Sequence, residues 1–125
     1  MLIVHIKNNV KRTGNDMIYA VDFDGTLCES KFPLIGKPNI ALIEFLKTEK
    51  QHGNRLILYT MREGIVLTEA LDWCKKFGLT FDAVNDNLPD QIYYENTRKV
   101  YADVYIDDHN AQYGICTQLP FISEE

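Results

Sequence analysis

The sequence predicts a single α/β domain built on a mainly parallel sheet, and two kinds of pattern support this. Apolar runs at residues 17–21 and 55–60, and a later strand-like segment at 100–106, are typical of parallel strands in a covered sheet. Segments with helical periodicity lie between the strands. Because strand–helix–strand units form right-handed crossovers, we expect a Rossmann-like three-layer α/β/α sandwich with helices on the faces of the sheet.

The composition agrees with one domain spanning residues 1–125. The chain has 125 residues, of which 46% are hydrophobic and 25% are charged, enough for a single core. A net charge of -5 argues against broad binding to nucleic acid or to an anionic membrane, although a local basic rim can still hold a phosphate. No signal peptide or membrane span is visible, which predicts a cytoplasmic protein.

The cysteines and histidines exclude one class of site. Cys28, Cys74 and Cys116 are odd in number, far apart and without CxxC spacing, and the three histidines are equally scattered. We therefore expect free thiols in a reducing compartment and no zinc site.

The first half of the chain predicts an edge strand, a central strand and a helix. Residues 2–6 are apolar enough for an edge strand, and polar turn material leads from there to the central strand at 17–21. Residues 25–37 sustain no period and are interpreted as a flap loop beside the end of that strand. A helix is expected to begin at Pro38 and to stop at Gly53.

The second half repeats the strand and helix pattern. Residues 65–77 form an amphipathic helix that Gly78 ends, and residues 79–84 follow as a third strand. The loop at 85–89 leaves the carboxyl end of this strand, where it either shapes specificity or is a simple turn. The strand at 100–106 completes the predicted sheet.

Acidic residues follow the central strand in a pattern that a turn alone does not explain. Asp22 and Asp24 are separated by Phe23, and Gly25 and Thr26 come next. Since successive side chains of a strand alternate, the two carboxylates share one side while Phe23 enters the core. An Asp-Gly turn accounts for one aspartate but not for two at this spacing.

A second acidic pair, Asp107 and Asp108, follows the last predicted strand, and Thr60 ends another. Carboxyl ends of parallel strands lie at one edge of a sheet, so these groups are expected to converge. Several converging carboxylates repel one another unless a cation neutralises them. Magnesium is the fitting cation, because it takes oxygen ligands and bridges to a substrate phosphate.

The residues Asp-Phe-Asp-Gly-Thr-Leu at positions 22–27 resemble the first motif of the haloacid dehalogenase-like superfamily of phosphotransferases. The resemblance implies that Asp22 attacks phosphorus and that Asp24 acts as general acid and then as general base. Thr60 matches the second motif, whose hydroxyl holds phosphoryl oxygens. Lys99 is the best match for the third, and Asp107 with Asp108 matches the fourth.

The resemblance also implies a metal site and a reaction. Mg²⁺ would be held by Asp22, the main-chain carbonyl of Asp24, and Asp107, with Asp108 either a ligand or one shell further out. Lys99 would stabilise the nucleophile and the phosphoryl charge. The expected activity is a Mg²⁺-dependent phosphatase acting through an aspartyl-phosphate.

The four motifs occur in order over residues 17–108, and neither insertion point has room for a cap domain. We therefore expect a capless member with an open site, whose phosphorylated substrate is a small molecule, a nucleotide or a macromolecule. The oligomeric state is open. Arg62, two residues after Thr60, is either a bidentate phosphate contact or a surface residue.

Two other interpretations are weighed against this one. Receiver domains also combine clustered acids, a threonine and a lysine on a parallel sheet, but their acidic pair follows the first strand, and here it comes last. The competing functional class is a metal- and phosphate-binding or regulatory module of the same fold with little turnover. No motif acid is replaced, which favours catalysis.

Overall fold

The computed structural model describes residues 3–6, 17–89 and 100–107. This part of the chain contains a five-stranded sheet, a separate two-stranded hairpin and two α-helices. In chain order the strands are β1 (Ile3–Ile6), β2 (Ile18–Val21), β3 (Cys28–Lys31), β4 (Leu34–Pro38), β5 (Arg55–Leu58), β6 (Ala83–Val84) and β7 (Val104–Asp107), and the helices are α1 (Ile40–Gln51) and α2 (Gly64–Lys76).

The sheet has the strand order β1-β7-β2-β5-β6. Strands β7, β2, β5 and β6 are parallel, and β1 pairs antiparallel with β7 at the edge. Val21 of β2 pairs with Leu58 on one side and with Ile106 on the other. The α/β class, the mainly parallel sheet and the amino-terminal edge strand are therefore confirmed. The carboxyl ends of three neighbouring strands meet at one edge.

Both described helices pack on the same face of the sheet. The chain steps from β2 through α1 to β5 and through α2 to β6 in one direction, and right-handed crossovers in one direction place their helices on one side. Tyr19 and Val21 of β2 join the cluster that contains the buried residues of α1 and α2. Ile18 and Ala20 point to the other face.

The helices that the sequence predicts on this other face stay a prediction. The described cover there consists of Leu88, Val100 and Ala102, which lie in segments without helical structure. These residues belong to the path by which the chain returns from β6 to β7 on the far side of β2. Residues 90–99 of this path lie outside the described part of the chain.

The predicted start of the first helix is wrong. The helix does not begin at Pro38, which ends β4 and pairs with Cys28. Instead Asn39 caps α1, with its side-chain oxygen accepting the Leu42 N–H at 3.2 Å. An asparagine side chain can accept a hydrogen bond from an unpaired N–H of the first turn. A proline at the first position fits the helical backbone but supplies no such acceptor. The stop at Gly53 is confirmed, since α1 ends at Gln51.

The flap predicted as a loop at 25–37 contains the hairpin of β3 and β4. In β3 only Cys28 is buried and the next three residues are exposed, so its sequence has no alternation to detect. The third predicted strand, 79–84, is shorter than expected and is limited to Ala83–Val84. The helix predicted at 65–77 is confirmed with a shift of one residue at each end.

Asp103 joins the start of β7 to the central strand. It is fully buried, and its carboxylate accepts the Ile18 N–H at 2.9 Å and the Tyr101 hydroxyl at 3.0 Å. Its own N–H donates to the Ile18 carbonyl at 2.8 Å. A buried carboxylate that is hydrogen-bonded on both oxygens fixes the pairing of β7 with β2. No motif or periodicity in the sequence indicates this role.

Neither described helix is long and apolar enough to cross a membrane. Cys28 and Cys74 are free thiols and both are buried. Burial raises the pKa of Cys74 to about 12, because the thiolate is poorly solvated there. These two thiols agree with the expectation of unpaired cysteines, and Cys116 lies outside the described residues.

We expect Asp103→Ala to lower the free energy of unfolding by about 2–3 kcal/mol, because it leaves the buried Ile18 N–H without its acceptor. Asp103→Asn keeps an acceptor oxygen and is expected to lose less. Urea denaturation followed by circular dichroism measures both. Asp72→Ala, at an exposed position of α2, is the matched control and should change stability by less than about 0.5 kcal/mol. Equal stabilities for Asp103→Ala and Asp72→Ala would contradict this role.

Candidate active site

A cavity of about 350 Å³ opens beyond the carboxyl ends of β2 and β5. Phe23 is fully buried between Asp22 and Asp24, while both aspartates face the cavity, as strand alternation predicts. The cavity is lined by Asp22, Asp24, Phe32, Thr60, Met61 and Arg62. The cavity therefore contains three of the six predicted site residues, Asp22, Asp24 and Thr60.

The position of the cavity follows from the topology. From β2 the chain proceeds outward to β5 and β6, and it reaches β7, on the opposite side of β2, only at the end. The direction of winding therefore reverses at β2. Open parallel sheets form a crevice for ligands at such a reversal, beyond the carboxyl ends of the strands.

Asp107 lies beside Asp22 on the neighbouring strand. The Asp22 N–H donates to the Ile106 carbonyl at 3.0 Å, which extends the β2–β7 ladder by one residue beyond the Val21–Ile106 pair. Neighbouring strands are about 4.8 Å apart, and residues in register on parallel strands point to the same side. Asp107 is only 8% exposed and does not line the cavity itself. The early and late acids thus occupy adjacent central strands.

A tight turn supports Asp22. Gly25 has φ +87°, a left-handed conformation that favours glycine, and the turn returns the Thr26 N–H to the Phe23 carbonyl at 3.1 Å. Thr26 is buried, and its hydroxyl donates to Oδ2 of Asp22 over 3.4 Å. The Asp-x-Asp-Gly-Thr pattern therefore builds a turn that places a hydroxyl under the first carboxylate.

The guanidinium of Arg62 is completely hydrogen-bonded. Its Nε and Nη2 donate to the two carboxylate oxygens of Asp24, each at 2.8 Å. The remaining N–H groups donate to the carbonyls of Pro33 (3.4 Å), Leu34 (3.0 Å) and Val66 (3.1 Å). Since a guanidinium has five N–H donors, none remains for a ligand.

Arg62 is also buried, with its side chain 1% exposed. Its guanidinium lies 5.0 Å from the ring centres of both Phe23 and Phe32. The hydrogen bonds to Asp24 raise the pKa of Arg62. The interpretation as a surface arginine is therefore wrong, and a phosphate contact would require one of these hydrogen bonds to open. Arg62 instead joins Asp24 to the hairpin and to α2.

This pairing limits what the Asp24 carboxylate can do. Both oxygens accept charge-assisted hydrogen bonds in a bidentate arrangement. The carboxylate must give up one of them before it can exchange a proton with a ligand. The ion pair does not involve the main-chain carbonyl of Asp24. This carbonyl is the atom of Asp24 that the family resemblance assigns to a metal ion.

Thr60 is held by a residue that sequence reasoning did not identify. The Thr60 N–H donates to Oδ1 of Asn85 at 2.8 Å, and its hydroxyl oxygen accepts the main-chain N–H of Arg62 at 3.1 Å. Asn85 has φ +54°, a left-handed conformation that asparagine tolerates better than most residues. Within the described part of the chain no group accepts the Thr60 hydroxyl proton, so this proton can be donated to a ligand in the cavity.

The described residues fit a magnesium ion with few protein ligands. Lys99 and Asp108 lie outside the described residues, and among residues 17–89 and 100–107 no three His, Cys, Asp or Glu side chains form a metal-binding group. Mg²⁺ commonly uses one or two carboxylates and completes its shell with water and substrate phosphate. Asp22 and Asp107, with the Asp24 carbonyl, supply that number of hard oxygen ligands.

Fold and site together define an α/β protein with an acidic cavity at the winding reversal of a parallel sheet. No family model matches the sequence, and no curated protein is similar to it at a significant level. A solved structure, described as that of the conserved protein coded by locus from Bacteroides thetaiotaomicron, is 44% identical. The match covers 81% of this chain and 82% of that chain, with a TM-score of 0.70. The chain belongs to the same family as this Bacteroides protein.

We expect Arg62→Met to lower the free energy of unfolding by about 3–5 kcal/mol, because it leaves the Asp24 carboxylate and three carbonyls without their donors. Arg62→Lys keeps the charge but not the planar fork, so it should recover only part of the loss. Urea denaturation measures these values.

A double-mutant cycle with Asp24→Asn isolates the pair, and we expect a coupling free energy of at least about 1.5 kcal/mol. The control is Lys47→Met, which breaks the more exposed pair with Glu44 at 3.4 Å and should cost under about 1 kcal/mol. An Arg62→Met variant as stable as Lys47→Met would contradict the role given to Arg62.

Proposed function

We propose that the protein is a Mg²⁺-dependent phosphohydrolase of the haloacid dehalogenase-like type without a cap domain, cleaving a phosphomonoester through an aspartyl-phosphate on Asp22. The observation that carries the proposal is the position of Asp22. It faces the cavity together with Asp24 and Thr60, and it continues the ladder beside the strand that ends in Asp107. The resemblance of residues 22–27 to the first motif of that superfamily supports the same reaction.

In the first step a carboxylate oxygen of Asp22 attacks phosphorus. The new O–P bond forms as the bond between phosphorus and the leaving alkoxide oxygen breaks, and Asp24, which has taken a proton from solvent before this step, donates it to that oxygen. In the second step Asp24 takes a proton from water as the water oxygen attacks the aspartyl-phosphate. Inorganic phosphate then leaves and the Asp22 carboxylate is restored.

The negative charge of the phosphoryl group requires compensation. The Thr60 hydroxyl proton is a hydrogen-bond donor on the cavity side, and Lys99 is the cation that the resemblance assigns to this task. Asp22, the Asp24 carbonyl and Asp107 would hold Mg²⁺, with Asp108 as a ligand or in the next shell, and the ion would supply positive charge against the carboxylates and the phosphate. These groups together meet the main requirement of phosphoryl transfer.

Arg62 is a positioning residue in this proposal. It fixes the carboxylate of Asp24 on the cavity side and attaches it to the hairpin through the carbonyls of Pro33 and Leu34. Proton transfer requires one of the two Asp24–Arg62 hydrogen bonds to open. The hairpin and Asp24 are both hydrogen-bonded to this guanidinium. A shift of the hairpin on substrate binding is therefore one way to open an Asp24–Arg62 hydrogen bond.

The same pairing favours a second candidate function. A module of this fold that binds metal and phosphate with little or no turnover needs no proton donor at Asp24. The bidentate arrangement, with both distances at 2.8 Å, keeps the carboxylate from that role in the present conformation. The two candidates differ in whether phosphate is released.

We expect the wild-type protein to release phosphate from an aryl phosphate only with Mg²⁺ present, and a chelator to abolish the release. Asp22→Asn should lower kcat by at least about 10⁴-fold, because it removes the nucleophile. Asp24→Asn should lower kcat by about 10²–10⁴-fold, through loss of acid–base catalysis. The measurement is phosphate release under saturating substrate.

Asp72→Asn, at an exposed position of α2 that is not in the cavity lining, is the matched control and should retain wild-type activity. Equal activity in wild type and Asp22→Asn would contradict the proposed nucleophile. Absence of turnover over a broad panel of phosphomonoesters, with Mg²⁺-dependent binding of inorganic phosphate by calorimetry, would establish the binding module instead.

A further inference from the structure

Two large apolar side chains stand exposed at the entrance of the acidic cavity. Phe32 is 59% exposed and Met61 is 99% exposed, and both line the cavity that contains Asp22 and Asp24. They come from different elements, since Phe32 lies in the turn between β3 and β4 and Met61 follows Thr60 after β5. We call Phe32 and Met61 the apolar lip.

The Phe32 ring packs against the charged guanidinium of Arg62. The Arg62 guanidinium lies 5.0 Å from its ring centre and bonds the carbonyls of the next two residues, Pro33 and Leu34. One face of the ring is therefore occupied by the buried cation. The exposed fraction of Phe32 belongs to the opposite face and the edges, so the ring offers a positioned flat surface to the cavity.

The cavity lining thus combines two chemically different kinds of surface. The carboxylates and the Thr60 hydroxyl are polar groups that suit a metal ion and a phosphoryl group, and the apolar lip adds apolar surface to the same lining. A volume of about 350 Å³ lies at the lower end of the range for small-molecule pockets, roughly 300–1,000 Å³. The space accommodates a phosphoryl group and one further group of modest size.

We propose that the substrate is a small phosphomonoester whose alcohol portion carries a planar aromatic group, bound against Phe32 and Met61. The inference rests on the proposed phosphohydrolase function and names its substrate class. An aromatic ring can stack offset on the open face of Phe32, and the Met61 thioether favours contact with a ring edge. A polyhydroxylated sugar would instead have hydroxyl groups desolvated against these side chains without hydrogen-bond partners.

A pair of substrates with the same reacting bond tests the proposal. Phosphate release from 3-phenylpropyl phosphate is compared with release from propyl phosphate, because both leaving groups are primary alkoxides and differ only in the distant ring. We expect kcat/KM to favour the phenyl compound by about tenfold or more, as apolar pocket contacts of this size typically do.

The lip variants assign that preference to its residues. Phe32→Ala and Met61→Ala are each expected to reduce the ratio of the two kcat/KM values several-fold, and the double variant to bring it within about twofold of one. Met61→Ala changes a side chain that is 99% exposed, so the fold tolerates it. Ile40→Ala, exposed by 50% on α1 and not in the cavity lining, is the matched control and should keep the wild-type ratio.

The outcomes separate the substrate class from the reaction. Turnover of both compounds at equal kcat/KM, or a preference that survives in the double variant, overturns the aromatic substrate class and leaves the phosphohydrolase intact. Absence of turnover with either compound and with aryl phosphates overturns the proposed function, and the inference with it. Light scattering tests self-association through the apolar lip. A wild-type dimer that is lost in the double variant, with an unaltered ratio of the two kcat/KM values, overturns the inference in favour of self-association.

Discussion

The bidentate pair of Asp24 and Arg62 is the interaction on which the geometry of the cavity depends. It joins the turn after the central strand to the hairpin of β3 and β4 and to the first turn of α2 through one buried guanidinium. A buried ion pair is strongly destabilising when one member is lost, since the other charge stays in a poorly solvated position. The same contact fixes the cavity wall, positions Phe32 and restrains the carboxylate proposed for proton transfer.

The expected lack of a cap domain in the proposed phosphohydrolase gives this hairpin its significance. A capless active site has to exclude water and select its substrate with its own loops, with a neighbouring subunit or with the substrate itself. The hairpin lies over the carboxyl end of β2 and supplies an aromatic ring at the entrance. Through Arg62 the hairpin is attached to Asp24. In the proposed reaction the hairpin would contact the leaving group, and Asp24 would protonate that group.

The sequence predicted the features that depend on strand periodicity. Alternation after a buried strand was enough to place Asp22 and Asp24 on one side with Phe23 in the core, and apolar runs were enough to indicate a parallel sheet. Features that depend on contacts between residues distant in sequence were not predicted. The local sequence does not indicate that Arg62 pairs with Asp24, 38 residues away, or that Asn85 bonds Thr60, 25 residues away. The hairpin was missed because its exposed strand β3 has no alternation of apolar and polar residues. The roles of Lys99 and Asp108 stay predictions.

Trapping the covalent intermediate tests the central claim most directly. The Asp24→Asn variant, slowed in hydrolysis of the intermediate, is mixed with a radiolabelled aryl phosphate and Mg²⁺, quenched in acid and digested for peptide mapping. We expect a label on the peptide that contains Asp22, and no label when Asp22 is also replaced by Asn. Label on another residue, or continued phosphate release from a chain that never carries the label, would contradict it.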